Sequence, residues 1–360
     1  MSECSPLLAL ACALGTACAN AGDAVPVDTP RGARLEGRIV VEPFGAAIYA
    51  ASGVTQLRDG RVLVAEDTKR HPLVVLDLFG RGTAKELAPE ELARATGQKW
   101  LSDLEGITSD DGGRVYAVTS HSLTSSGAER GDRELLVRFE IDADTVANAR
   151  VVTRLKDAIG ALHPVLAKGN DKRPKRKGEG LNIEGIAWGP TNERLMLGLR
   201  SPLIGNSAVA MSLDNITDVF ERAAAPHLSG PFLLALDGQG IRDLAWDATL
   251  GGYLVVAGAA RRSGRGEAAL WLWRGARSVP IRLDAPAIAD LKPEGIALVQ
   301  VAGRRAVLLV CDDGTPPKRY SDNGTGADDG TPSRYIVIPY DTLIARNAAR
   351  LRGAGSSTPH

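Results

Sequence analysis

Aromatic side chains make up only 4% of the 360 residues, and none of the apolar runs is long enough to span a bilayer as a helix. Forty glycines and twenty prolines beside so few rings favour many turns and small β residues over a helical bundle. Charge of either sign is not in excess. With 43 basic and 43 acidic side chains the net charge is zero, so no global field recruits nucleic acid or an anionic membrane. Any electrostatic function must be local. No G-x-S-x-G elbow, Walker loop, H-E-x-x-H or dinucleotide fingerprint occurs, which disfavours standard serine esterases, NTPases and zincins.

Cysteine is scarce where it would count. Three of the four, Cys4, Cys12 and Cys18, fall in the first 18 residues, leaving Cys311 and no intramolecular disulfide in the remainder. Cys311 closes the apolar run Ala306-Val307-Leu308-Leu309-Val310, where a buried inert thiol is expected rather than a nucleophile. Residues 5–19 form a short apolar run, and Ala17-Cys18-Ala19 and Ala19-Asn20-Ala21 follow the A-x-A processing pattern. Residues 1–21 are therefore expected to be an export signal, directing the chain to the periplasm or the exterior. Its first residues, Met-Ser-Glu, carry no Lys or Arg, a departure from the usual signal. Leu14-Gly15-Thr16-Ala17-Cys18 offers a lipid anchor on Cys18 as the alternative, although Gly15 stands where an aliphatic residue is expected.

Five segments align without gaps: Ser52-Gly53-Val54-Thr55, Glu105-Gly106-Ile107-Thr108, Glu184-Gly185-Ile186-Ala187, Arg242-Asp243-Leu244-Ala245 and Glu294-Gly295-Ile296-Ala297. Their first residues are 53, 79, 58 and 52 positions apart, near the roughly 40 to 50 residues of a propeller blade, with one long insertion. Each segment opens a run of alternating strands and Gly-containing turns. An all-β propeller of five blades is predicted; a sixth would need hidden strands in 80–102 or 200–236. The fifth unit lacks an outermost strand, and the run 35–41 is spare, so an N-terminal strand is expected to close the last blade and remove an exposed edge. A flexible lead-in over 22–34, a propeller over 35–345 and a tail over 346–360 complete the expected organisation. Short helices are expected at Pro89 to Ala95 and Thr342 to Leu351, and a monomer is expected.

The aligned first residues Ser52, Glu105, Glu184, Arg242 and Glu294 would ring the central channel. Three carboxylates facing a narrow channel repel one another unless a cation lies between them. Two arrangements answer this. A hard divalent cation such as calcium would be held by Glu105, Glu184 and Glu294, or Arg242 pairs with Glu184 and Glu294 in a structural network. The glycine after each Glu has a plain reading, close approach of strands at the axis.

Polar loops follow every second strand of a unit except the fourth: Glu66-Asp67, Ser120-His121-Ser122, Arg200-Ser201-Pro202 and Asp312-Asp313-Gly314. In a propeller these loops share a rim with the strand starts, so distant charges converge on one mouth. Arg200 is a candidate to orient an anion and His121 a candidate acid or base, against a turn-forming role. Asp312 and Asp313, with Ser52 and Arg242, are candidate ligand-binding groups. The basic run 168–179 would overhang the mouth, as an anion trap or as a solvated loop. Asp322-Asn323-Gly324 and Asp328-Asp329-Gly330 resemble fragments of a calcium loop without its terminal Glu.

Asp103-Leu104-Glu105-Gly106-Ile107-Thr108 with Ser120-His121-Ser122, and Leu181-Asn182-Ile183-Glu184-Gly185-Ile186-Ala187-Trp188 with Gly198-Leu199-Arg200-Ser201-Pro202, resemble a bacterial family known only as a domain of unknown function. The resemblance runs from about residue 50 to 340 and implies no activity. A remoter similarity, of Ser52, Glu105, Glu184 and Glu294, is to the five-bladed calcium-activated nucleotidases, and on general grounds to phytase-like propellers. It implies a central calcium held at those positions; Arg242 departs from the pattern. From the ring and these resemblances two functions follow: an exported metal-dependent hydrolase of an anionic, phosphoester-like small molecule, or a noncatalytic envelope binding or assembly module with a structural Glu/Arg ring.

Overall fold

The computed structural model describes residues 25–26, 37–45, 48–67, 72–88, 90–98, 101–124, 126–170, 180–191, 193–260, 267–318 and 329–353. Strand-forming runs rich in Val, Leu and Ala alternate with Gly-containing turns, and the chain folds into five antiparallel sheets in sequence order. The short strand β1 (Val25–Pro26) and the strand β2 (Val40–Pro43) precede the first blade. Blade one contains β3 (Ala51–Gln56), β4 (Val62–Glu66), β5 (Leu73–Leu76) and β6 (Thr83–Glu86), with β1 added outside β6. Helix α1 (Glu90–Thr96) leads to blade two: β7 (Leu104–Ser109), β8 (Val115–Thr119), β9 (Leu136–Asp142) and β10 (Thr145–Val152).

Helices α2 (Leu155–Leu162) and α3 (Pro164–Gly169) precede blade three, which has β11 (Asn182–Trp188), β12 (Leu195–Ile204), β13 (Ser207–Leu213) and β14 (Leu228–Leu234), with α4 (Ile216–Arg222) between the last two. Blade four is β15 (Gly240–Asp247), β16 (Gly252–Gly258), β17 (Ala269–Trp273) and β18 (Ile281–Leu283). Blade five is β19 (Pro293–Val301), β20 (Arg304–Cys311), β21 (Arg334–Pro339) and, as its fourth strand, β2; helix α5 (Tyr340–Gly353) follows. The architecture is a five-bladed propeller. The stretches 80–102 and 200–236 hold the outermost strands of blades one and three rather than a sixth blade.

The closing strand lies at 40–43, later than the run 35–41. Its partner explains the offset: Val40 pairs with Val337 and Pro43 with Arg334, and β21 gives way to α5 at Tyr340, so little strand remains for earlier residues to pair with. The five innermost strands touch in a closed order, β3 with β7, β7 with β11, β11 with β15, β15 with β19 and β19 with β3. The core follows the same symmetry. One apolar cluster joins each pair of adjacent blades, such as Val64 and Val74 with Leu308 and Val310 at the seam of blades one and five. Burial of both faces of each sheet makes every blade depend on its neighbours.

Glycine holds the position after the ring residue because the inner strands meet at their backbones. A Cβ on Gly106 would lie 2.5 Å from the Glu184 carbonyl oxygen, and one on Gly295 would lie 2.8 Å from Gly53 Cα. Blade four breaks the pattern with Asp243, which is fully buried. Its carboxylate accepts the N–H of Ile186 at 3.3 Å and of Ile296 at 2.9 Å, so one side chain ties blade four to both neighbours.

Candidate functional site in the channel mouth

Each ring residue sits in a β-bulge at the same place. In blade two Leu104 pairs with Thr119 and Gly106 with Val118, leaving Glu105 unpaired, and the register skips Ser52, Glu184, Arg242 and Glu294 in the same way. A bulge re-aims one side chain out of the pleat. Repeated five times it turns all five toward the axis, where they line one open cavity of about 790 Å³. The rest of the lining comes from segments beside the second strands, including Asp67, Ser122, Arg200, Ala259 and Asp312, and from the approaches to the inner strands, including Asp103, Asn182 and Lys292. The lining carries six carboxylates (Asp67, Asp103, Glu105, Glu184, Glu294, Asp312) and four cations (Arg133, Arg200, Arg242, Lys292), a formal charge of minus two.

The charges are not mixed evenly. On the side of blades three to five, buried Glu184 is saturated: Oε1 accepts from Arg200 Nη1 at 2.9 Å and from Asn182 Nδ2 at 2.9 Å, and Oε2 accepts from Arg242 Nη1 at 3.0 Å. Arg242 Nη1 also reaches both oxygens of Glu294, at 2.7 and 2.5 Å. The cation sits between two carboxylates, and Arg200 supplies a second positive charge. Burial and the neighbouring Glu184 still push Glu294 up to about 8, against the pull of Arg242.

On the side of blades one and two the charge is unbalanced. Carboxylate oxygens of Asp67, Asp103 and Glu105 lie within 4.8 Å of one another. Asp103 takes a positive φ of 61° and collects its donors on one oxygen: Oδ2 accepts from Ser120, from Ser122 Oγ at 2.9 Å and from Arg133 Nη1 at 3.2 Å. Glu105 has no hydrogen bond or ion pair among the described residues. Burial first, then Glu184, Asp67 and Asp103, hold its carboxyl well above the usual carboxylate range. Asp67 is open to the mouth, yet the concave walls withdraw it from bulk water; that desolvation, with Asp103 and Asp312, raises it too. Three oxygen donors from two adjacent blades, short of positive charge, fit a hard divalent cation.

The remaining expected residues take varied places. Ser52 lines the cavity and donates to the Leu104 carbonyl at 2.5 Å. Asp312 is at the mouth, its backbone N–H bound to the Lys292 carbonyl at 2.9 Å. Asp313 turns aside and accepts from Arg334 N at 2.9 Å and Nε at 2.6 Å. His121 is fully buried beneath the rim and is not part of the lining; its Nδ1 lies 2.8 Å from the Thr119 carbonyl, and burial lowers it to about 4. Cys311 is free and buried, its thiol pushed up by desolvation. Residues 1–21, 171–179 and 319–328, which hold the leader, most of the basic run and most of the calcium-loop fragments, lie outside the described residues.

Asp67 and Asp103 were not singled out from sequence as ligands. Asp103 stands two residues before Glu105 and Asp67 next to Glu66, so their proximity to the ring was readable only with the rim geometry of the fold. Glu66, its neighbour, is spent on the frame, accepting the N–H groups of Tyr49 at 2.6 Å and Ala50 at 3.1 Å.

Residues 172–329 match the family model described as Protein of unknown function (DUF3616). The match spans the inner strands of blades three to five, a narrower stretch than the resemblance read from 50 to 340. No curated protein matches the chain. Among solved structures, a gluconolactonase from Xanthomonas campestris is 11% identical, with 89% of this chain and 99% of that one covered and a TM-score of 0.44. The PQQ domain of a pyranose dehydrogenase from Coprinopsis cinerea is 11% identical over 86% and 98% of the two chains, with a TM-score of 0.43. A Trichoderma reesei carbohydrate-active enzyme of family AA12, in a calcium structure, is 10% identical over 88% and 99%, with a TM-score of 0.41. These likenesses concern overall fold alone. No helix among the described residues is long and apolar enough to cross a membrane.

Proposed function

We propose that the chain is an exported, divalent-cation-dependent hydrolase of an anionic, phosphoester-like small molecule, with its site in the channel mouth. One observation carries the reading: Glu105 lies against Asp67 and Asp103 with no ion pair of its own among the described residues, the single cation Arg133 being paired with Asp103, in a cavity whose other charged side is already neutralised. Asp67, Asp103 and Glu105 would hold the ion, and Ser120, Ser122 and Arg133 fix Asp103 for that task. A bound calcium or similar ion supplies Lewis-acid stabilisation of developing negative charge.

Charge arithmetic orders the binding. With every carboxylate ionised the lining carries minus two without the ion and zero with it, so the cation favours entry of an anion. Lys292 is exposed at the mouth with no ion pair among the described residues, and Arg200 is committed to Glu184 through Nη1. These two groups are placed to orient the anion. Glu294, poised at about 8, can hold or release a proton near neutral pH. Export is supported by the short apolar run and A-x-A sites of residues 5–21.

A second reading, a binding module without turnover, is favoured by the self-satisfied Glu184, Arg200, Arg242 and Glu294 group, which is a frame as it stands. Calorimetric titration of chelator-treated protein with calcium, followed by a phosphoester panel with and without the ion, separates the two. The hydrolase reading expects saturable calcium binding, at least about tenfold weakened in Glu105→Gln, and turnover that chelator abolishes. Calcium binding without turnover leaves the binding module; absence of cation binding to the wild-type chain removes the metal site altogether.

A further inference from the structure

The zero net charge hides a local asymmetry on the outer side of blade four. The hairpin between β17 and β18, residues 274–280, lies at the end of the blade opposite the mouth. From Ala268 to Leu283 the chain holds Arg274, Arg277 and Arg282, and from Thr342 to Gly353 it holds Arg346, Arg350 and Arg352; neither stretch contains an Asp or Glu. The fold brings the two stretches together. Asn347 Oδ1 accepts the N–H of Asp284 at 2.7 Å, and three residues further along the helix Arg350 Nη1 donates to the Arg282 carbonyl at 3.1 Å. Helix α5 and β18 therefore run in opposite senses, and the last turn of α5 heads for the hairpin. All six guanidinium groups belong to exposed residues. Arg346 pairs with Asp284 at 2.8 Å and Arg282 with Asp237 at 3.5 Å. Arg274, Arg277, Arg350 and Arg352 hold no carboxylate among the described residues; Arg274 Nε and Arg350 Nη1 reach only main-chain carbonyls. Two residues beyond Arg277, Val279 is 81% exposed, the most exposed large hydrophobic side chain among the described residues.

We propose that this corner of blade four docks the protein on an anionic phospholipid surface, with Arg274, Arg277, Arg350 and Arg352 against head-group phosphates and Val279 at the boundary of head groups and acyl chains. A guanidinium presents a planar fork of donors that matches phosphate oxygens, and basic side chains near an anionic leaflet add their attractions. The exposed valine favours a bilayer over a soluble polyanion. An apolar tip among cations gains by leaving water at head-group depth, and has nothing comparable to gain against a nucleic-acid backbone. The proposal needs neither the cation nor the anion site of the channel. It also fixes an orientation: the cavity is lined from the other end of the blades, so the docked protein opens its mouth away from the membrane.

The test is sedimentation of the full chain with vesicles of phosphatidylcholine alone and of phosphatidylcholine mixed with phosphatidylglycerol, in about 0.05 M and about 0.5 M salt. Residues 1–21 carry no Lys or Arg, so partition through that apolar run would be alike for both compositions. Tighter binding to the anionic vesicles is expected at low salt and should be lost at high salt. Arg277→Glu combined with Arg352→Glu should weaken it at least about twentyfold, and Val279→Ser about fivefold. Arg94→Glu combined with Arg222→Glu makes the same change of net charge on α1 and α4 and should leave binding within about twofold. Circular dichroism checks that each variant is folded. Equal affinity for the two vesicles, or binding to neither, overturns the proposal, and so does anionic binding that survives the Arg277 and Arg352 reversal. Binding of a DNA duplex without binding of vesicles replaces the lipid surface by a soluble polyanion and overturns it as well.

Discussion

Arg242 is the residue on which the cationic side of the mouth turns. Replacing it with Met leaves Glu294 buried without its ion pair and strips Glu184 of one of three donors, so Arg242→Met should cost about 3 to 5 kcal/mol in denaturant unfolding. Proton linkage gives a second expectation. Glu294 titrates near 8 when folded and near its ordinary 4.5 when unfolded, so the native chain retains a proton that the unfolded chain has lost. Stability without metal should therefore fall as pH rises from about 4.5 to about 8, and Glu294→Gln should flatten that slope in unfolding series across the window. Glu105 and Asp67 are raised in the same sense. Calcium must displace their protons, so its thermal stabilisation should be larger at pH 8 than at pH 5.5.

At the level of elements, the five bulges and the glycines beside them are a single device. The bulge turns a side chain to the axis, and the missing Cβ lets the next inner strand close against the backbone. Gly106→Ala places a methyl 2.5 Å from the Glu184 carbonyl, a backbone atom that cannot move aside cheaply, and should destabilise by about 1 to 3 kcal/mol. The inverse change is more informative. Asp243→Gly restores the repeat's glycine, yet it removes the acceptor for Ile186 and Ile296 and leaves two buried N–H groups without it. A loss of about 1 to 3 kcal/mol per orphaned group is expected in urea unfolding. An unchanged midpoint would mean that the seams on both sides of blade four close without the carboxylate.

For the whole molecule, the ring is closed by hydrogen bonds between β2 and β21, with every seam filled by its own apolar cluster. Deleting residues up to Pro43 exposes the edge of β21, and concentration-dependent association should appear in light scattering. Much of this plan was legible in the chain. The repeat spacing, the spare strand and the four polar loops all point to a rim where charges meet, because blade periodicity and strand alternation are local properties of sequence. The partition of those charges was not legible. Glu105, Glu184 and Glu294 hold equivalent places in the repeat, but two of them flank Arg242 from the adjacent blades and pair with it, while the third lies against Asp67 and Asp103. Likewise Asp312 and Asp313 are adjacent in sequence, and only the first lines the cavity.

The sequence by itself determined the architecture and the identity of the five axial residues, since both follow from a pattern repeated along the chain. Tertiary structure alone decided which axial carboxylates are already neutralised, that Asp67 and Asp103 join Glu105, and that His121 is sealed beneath the rim. The reason is physical: a repeat fixes where a side chain sits within its blade, while its charge state and partners depend on what neighbouring blades bring within a few ångströms.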